Sequence, residues 1–206
     1  MHGYTSDSFF RGSGVYFAFG ALAIVVASAL RTLVAIPQLA GLLDTVTLSA
    51  FTIYGVLIFF YEYWGWRWLS TIKNLNGTWV GSISTHHGGT CIPCVMRLRQ
   101  TWTRMAIELE TKQSRSRTTM AALYDEQPGD VGLKYEYVSE PRSRAEQSMQ
   151  IHRGICTLEI TINSKEEYLS GDYFTGRGRE THGEITLHRI SRELLGFDTA
   201  LKKEKQ

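Results

Sequence analysis

The chain has 206 residues, 22 of them basic and 20 acidic, for a formal net charge of +2. So even a balance excludes a general nucleic-acid binder, whose phosphate contacts call for a strongly basic surface. Three cysteines, Cys91, Cys94 and Cys156, are too few for a disulfide scaffold and read as reduced thiols.

The charge is unevenly spread. Up to Tyr61 the charged residues are Asp7, Arg11, Arg31 and Asp44, and the other 38 of the 42 lie from Glu62 onward. Two parts are therefore expected, a helical membrane region over residues 1–72 and a water-soluble domain over 73–206 large enough to fold on its own core.

In the first part, the uncharged run from Gly12 to Leu30 approaches the roughly 20 residues that span a bilayer as a helix. A second run goes from Thr45 to Tyr61. Tyr63, Trp64, Trp66 and Trp68 follow it, as aromatics do at a membrane–water boundary. Pro37 and Gly41 break the chain between the runs. The pattern predicts two antiparallel transmembrane helices, at about 13–35 and 46–68. Arg11 before the first, and Arg67 and Lys73 after the second, place both termini in the cytoplasm. A signal peptide competes for the first run, but its start is not basic and the second run has no place in that scheme. Ala23 and Ala27, four apart, are a small-residue contact face between helices or plain apolar filler.

The soluble part begins at Leu75-Asn76-Gly77-Thr78-Trp79-Val80-Gly81. Gly77, Trp79 and Gly81 share one face of a strand, and small residues around a large aromatic suit the inner face of a curved sheet. Cys94, Met96, Leu98, Gln100 and Trp102 form one face of the next strand, and Met105, Ile107 and Leu109 one face of the third. Ser114–Tyr124 is a polar strand that turns apolar at Met120, and Asp125–Asp130 a turn. Leu133, Tyr135 and Tyr137 point inward on the next strand, and Ser139–Gln150 reads as a loop. Cys156, Leu158, Ile160 and Ile162, then Leu169, Gly171, Tyr173 and Thr175, then Gly183, Ile185 and Leu187, complete eight strands. Ser191–Gln206 is a short helix and solvated tail. Eight short antiparallel strands predict a small up-and-down β-barrel, wide enough inside for side chains or one small ligand; an open sandwich is the alternative.

The stretch Tyr173-Phe174-Thr175-Gly176-Arg177-Gly178-Arg179-Glu180-Thr181-His182-Gly183 carries the most distinctive chemistry. Arg177 and Arg179, between glycines, can offer guanidinium forks to phosphate, and Tyr173 an aromatic face to a base. An exposed basic hairpin is the plainer reading. Gln100, Tyr135 and Tyr137 are polar-tipped groups on inward faces, either ligand contacts or core residues reaching the rim. Cys91 and Cys94 have the two-residue gap of zinc sites, with His86 and His87 nearby, but adjacent histidines rarely both coordinate and no metal site is assigned. Pro93 argues against a redox pair. No nucleophile elbow, phosphate loop or metalloprotease motif is present, and Glu108 with Glu110 reads as solvated surface; no catalytic residue is expected.

Two spanning helices, then Leu75–Gly81, then Gly171-x-Tyr173 leading to Thr181-x-Gly183-x-Ile185, resemble the SMODS-associating two-transmembrane β-strand-rich effectors of CBASS anti-phage systems. The resemblance implies a receptor rather than an enzyme. Its ligand would be a cyclic oligonucleotide, in the first instance a cyclic dinucleotide, made by a cognate nucleotidyltransferase, with no other cofactor and no DNA or RNA. It also implies a multi-pass protein of the bacterial inner membrane that self-assembles and breaches the bilayer. Arg177 and Arg179 would then pair with phosphate, Trp79, Tyr135, Tyr137 and Tyr173 line or stack, and Gln100, Thr175 and Thr181 hydrogen-bond bases or ribose. A tethered barrel that takes a lipid in the lipocalin manner is the alternative.

Overall fold

The computed structural model describes residues 1–6, 13–34, 50–85, 91–127, 130–142, 150–162, 167–176 and 181–205. The chain forms two compact units, Ser8–Ile72 and Met1–Asp7 with Lys73–Gln206.

The first unit is helical: α1 (Ser13–Val34), α2 (Ala50–Phe60), a π-helical turn at Tyr61–Gly65, and a last helical turn, α3 (Trp66–Leu69). α1 packs on α2. Ala23 and Ala27 are buried, which makes them contact residues, and Phe19 meets Tyr61 edge-on with ring centroids 5.1 Å apart.

The structure corrects the expected membrane hairpin, and with it the placement as a multi-pass inner-membrane protein with cytoplasmic termini. No helix among the described residues is long and apolar enough to cross a membrane. In the second apolar run the α-helix covers 11 residues before the π-helical turn interrupts it. Those 11 residues rise about 16 Å, roughly half the thickness of a bilayer's hydrocarbon core.

The second unit is the barrel. Its wall is β3 (Gly77–Thr85), β4 (Cys91–Gln100), β5 (Arg104–Glu110), β6 (Ser114–Gln127), β7 (Asp130–Pro141), β8 (His152–Ile162), β9 (Glu167–Thr175) and β10 (His182–Ser191). Each strand pairs antiparallel with its neighbours in sequence, and β10 returns to β3, from Gly183 opposite Thr85 to Ser191 opposite Thr78. This is the expected eight-stranded up-and-down barrel, in which no wall strand is left as a free edge. β5 and β6 pair directly only over Glu108–Glu110; beyond that they part, and two short N-terminal strands, β1 (His2–Gly3) and β2 (Thr5–Ser6), fill the seam. In β6 the register slips between Thr118 and Met120. The slip reverses side-chain parity, so Ser116 is inward before it, Ala121 and Leu123 after it, and Met120 faces out at 62% exposure.

One end of the interior is solid. Trp79, Met96, Leu98, Met105, Leu133, Leu158, Leu169 and Leu187 are fully buried there. Polar groups seal them in. The Arg189 guanidinium lies 4.5 Å over the Trp79 ring, donates to Asn74 O and Asn76 O at 3.0 and 2.9 Å, and pairs with Glu167 at 2.5 Å. The Trp79 indole N–H donates to Leu75 O at 3.0 Å. At Gly77 the backbone takes φ +132°, a conformation side chains resist, and a Cβ would collide with Ser191 O.

Outside, α4 (Phe197–Glu204) covers Val80 and Val95 with Ala200, Phe197 and Leu201. Glu108 and Glu110 are not solvated surface, as their sequence implied. Arg97 bridges them, at 3.0 Å to Glu108, while Arg115 binds Glu108 and Arg142 binds Glu110. Burial pushes the Glu108 carboxyl up, but its bonds to Arg115 and Arg97 outweigh that and hold it below its usual range.

A lowered carboxyl stabilises the fold above its unfolded pKa, roughly 4.3, and that contribution disappears as pH falls through the lower folded value. Glu108→Gln is therefore expected to flatten the loss of stability below about pH 4, read from urea midpoints against pH. Arg189→Met should cost about 3 kcal/mol in urea unfolding, because Glu167 and two carbonyls lose their partner together.

Candidate functional site

At the other end the barrel is open. A cavity of about 400 Å³ lies there, and all eight wall strands contribute to it. Ile83, Leu109 and Ile185 give it apolar surface between Tyr137 and Tyr173, while Thr85, Thr111, Ser114, Ser116, Ser139, Thr175 and Thr181 add hydroxyls. Lys112 and His152 are its basic groups among the described residues.

Cross-strand glycines make room for the two tyrosines. Gly154 stands opposite Tyr137 and Gly183 opposite Tyr173. A Cβ on Gly154 would run into the Tyr137 hydroxyl, and one on Gly183 would come within 2.9 Å of the Tyr173 ring. Each aromatic thus lies over a neighbour with no side chain. Tight turns set the rim. The Thr111 hydroxyl accepts from the backbone N–H of Gln113 and of Ser114, at 3.2 and 3.0 Å, which places Lys112 and Gln113 at the mouth. Across the barrel, Thr175 N donates to Thr181 O at 2.9 Å, Thr181 N donates to Thr175 Oγ1 at 2.8 Å, and the two hydroxyls lie 2.9 Å apart. The ring of His152 sits edge-on to Tyr137, with centroids 6.4 Å apart.

Of the residues singled out from the sequence, Tyr137, Tyr173, Thr175 and Thr181 meet at this cavity. Tyr135 lies deeper, its ring 6.2 Å from that of Tyr137. Trp79 and Gln100 belong to the closed end and do not line the cavity; Gln100 is bonded there to Leu75 N and to Tyr4. Arg177 and Arg179 lie outside the described residues. Lys112, Ser116, Ser139 and His152 were not foreseen. Ser139 was within reach, because the two-residue period that puts Tyr135 and Tyr137 inward continues to it once β7 is seen to extend to Pro141.

The two buried thiols are held neutral. Burial pushes Cys156 up to about 12 and Cys94 well above its usual value, and it raises the Tyr135 phenol beside them. Cys91 is exposed and Cys94 buried, on opposite faces of β4, so the pair cannot hold one ion. His86 and His87 lie outside the described residues.

A closed antiparallel barrel, plugged at one end and hollow at the other, defines a small-molecule-binding barrel. Residues 70–189 match the family model "Cap15, cyclic dinucleotide receptor domain", and the chain belongs to that family. The match falls on the barrel, whereas the resemblance drawn from sequence was to a two-transmembrane family defined by its helices as well. The chain is also similar to "CD-NTase-associated protein 15" of Yersinia aleksiciae, 30% identical over 120 residues, which is 58% of this chain and 56% of that protein. It is similar to "CD-NTase-associated protein 15" of Staphylococcus schleiferi, 29% identical over 152 residues, 71% of this chain and 77% of that protein. The chain thus spans a little over half the length of the first of these relatives.

Gly154→Ala is expected to push Tyr137 from its place and cost about 1–3 kcal/mol by overpacking. Gly176→Ala, where a Cβ would meet Arg153 O at an ordinary 3.5 Å, should be tolerated. Thermal unfolding of both variants checks the contrast.

Proposed function

We propose that this chain is a CBASS anti-phage effector whose barrel takes a cyclic dinucleotide into the cavity at its open end. The observation that carries the reading is the cavity itself: two tyrosines flank apolar surface inside it, and hydroxyls and two basic groups are set toward its rim. Membership in the cyclic dinucleotide receptor family supports it. So does the volume, about 400 Å³, inside the ~300–1,000 Å³ range of small-molecule sites.

In this reading Tyr137 and Tyr173 stack with or flank the bases. Ser116 and Ser139 hydrogen-bond the base edges or ribose, and Lys112 and His152 face the phosphates. Thr175 and Thr181, bonded to each other, flank the segment of sequence that contains Arg177 and Arg179, which supply further charge to the phosphates. The messenger comes from a nucleotidyltransferase partner. The protein acts by binding and not by catalysis. A purely apolar ligand is the second reading, which Ile83, Leu109 and Ile185 would suit; the basic groups Lys112 and His152 weigh against it.

Titrating the full chain with a panel of cyclic dinucleotides tests the proposal by calorimetry. Tyr173→Ala is expected to weaken binding by about 1–3 kcal/mol, the usual worth of one base on one aromatic ring. Arg177→Ala with Arg179→Ala should abolish it and remove most of its salt dependence. Unchanged affinity in both variants, or binding of fatty acid alone, would sink the reading.

A further inference from the structure

The seam between β5 and β6 is closed by the start of the chain. β1 pairs antiparallel with β5, His2 opposite Met105 and Gly3 opposite Arg104. β2 pairs parallel with β6, Thr5 opposite Ala122 and Ser6 opposite Leu123. Between them Tyr4 turns inward, 6% exposed, with its backbone N–H on Thr103 O at 3.3 Å. Where β5 and β6 separate, the Thr118 hydroxyl accepts from Ile107 N at 3.0 Å and lies 2.9 Å from the His2 Nε2 atom. A side chain there replaces the ladder bond that the parting strands give up.

Beside these ladders, and a bond from the Tyr4 hydroxyl to Thr101 O at 3.4 Å, one buried side-chain amide links the segment to Leu75, just ahead of β3. Gln100 is 2% exposed. Its Nε2 donates to the Tyr4 hydroxyl at 3.1 Å, and its Oε1 accepts from Leu75 N at 2.9 Å. Tyr4 precedes the helical unit Ser8–Ile72 and Leu75 follows it. The barrel therefore holds the chain on both sides of the helices, and a single side chain touches both holding points.

The two attachments differ in strength. Leu75 runs straight into β3, which is paired along its length on both sides. The N-terminal segment has two residue pairs on each side, one set of them parallel. Ladders of two residue pairs open at low free energy, well below global unfolding. What keeps this one shut is that its departure would leave the facing backbone groups of β5 and β6 without partners, along with the buried Gln100 amide.

We propose that His2–Ser6 is a latch strand and Gln100 its clasp, so that the N-terminal attachment of the helical unit opens as a separate step while the attachment at Leu75 stays fixed. Opening frees the stretch leading into α1 and bares one slot in the barrel wall. The cavity at the open end is not involved, and the latch stands whether or not that cavity binds a nucleotide.

Hydrogen exchange on the full chain, read by mass spectrometry, tests this. In Gln100→Leu, amides of residues 2–6 and of 104–107 should lose protection by about tenfold or more, the effect of one buried hydrogen bond on a local opening, while β8 and β9 keep theirs. Tyr4→Phe removes only the hydroxyl and should loosen the same two segments, which keeps the test available if Gln100→Leu does not fold. A disulfide from His2→Cys with Met105→Cys, in a Cys91→Ser background, should restore protection to Gln100→Leu. Residues directly opposite in an antiparallel pair are about 4.5–5.5 Å apart, within disulfide reach. Unchanged protection of residues 2–6 in the variants, or loss of protection by all strands together, would overturn the proposal.

Discussion

The contact on which the barrel's design depends is the Arg189 guanidinium lying on the Trp79 ring. Burial works against a charge there and pulls the Arg189 pKa down, while Glu167 pulls it back up. The arginine remains because it does several things at once. It covers the indole, satisfies the carbonyls of Asn74 and Asn76 just ahead of β3, and balances Glu167 at the start of β9. An eight-stranded barrel has room for one packed core or one small ligand. Filling one end with Trp79 and its leucine neighbours, under an arginine lid, leaves space only at the other. The single mouth follows from the plug.

The mouth is made with a different device. Tyr137 and Tyr173 are large, and each lies across from a glycine on the adjoining strand. The glycines let two rings stand at a narrow opening without closing it, and the hydrogen bonds at Thr111 and between Thr175 and Thr181 hold polar groups at the same rim. Aromatic faces, hydroxyls and the basic groups Lys112 and His152 thus meet around one cavity. The interior offers no competing chemistry, because burial keeps Cys94 and Cys156 as neutral thiols.

The closed end also receives the chain. Tyr4 and Leu75, on either side of the helical unit, reach one another through Gln100. Ligand cavity and chain attachments therefore sit at opposite ends of the barrel, joined by strands that run its whole length. β6 carries Ser116 at the mouth and the partners of β2 nearer the seam.

Much of this was legible in the residues. Strict alternation along Met96-Arg97-Leu98, Leu133-Lys134-Tyr135 and Leu158-Glu159-Ile160 fixes which side chains turn inward, because a strand wetted on one face must repeat every two residues. Eight such runs, with the Gly77–Gly81 and Gly171–Gly183 motifs, were enough for the barrel and for turning Tyr137, Tyr173, Thr175 and Thr181 toward its interior, where they line the cavity. Three features depended on contacts far apart in sequence. Height along the barrel separates Trp79 and Gln100 from the tyrosines, and parity carries no information about height. The N-terminal strands in the seam arise only when segments over 100 residues apart are brought side by side, and the slip in β6 only when it pairs with β7. The carboxylates of Glu108 and Glu110 looked solvated until Arg97, Arg115 and Arg142 were brought around them. Hydropathy alone promised two membrane spans; in the second run it registers apolar residues but not the length over which they stay in one unbroken α-helix. Local pattern decided what each strand buries, and tertiary pairing decided where along the barrel each buried group acts, since the first is a property of neighbours in the chain and the second of neighbours in space.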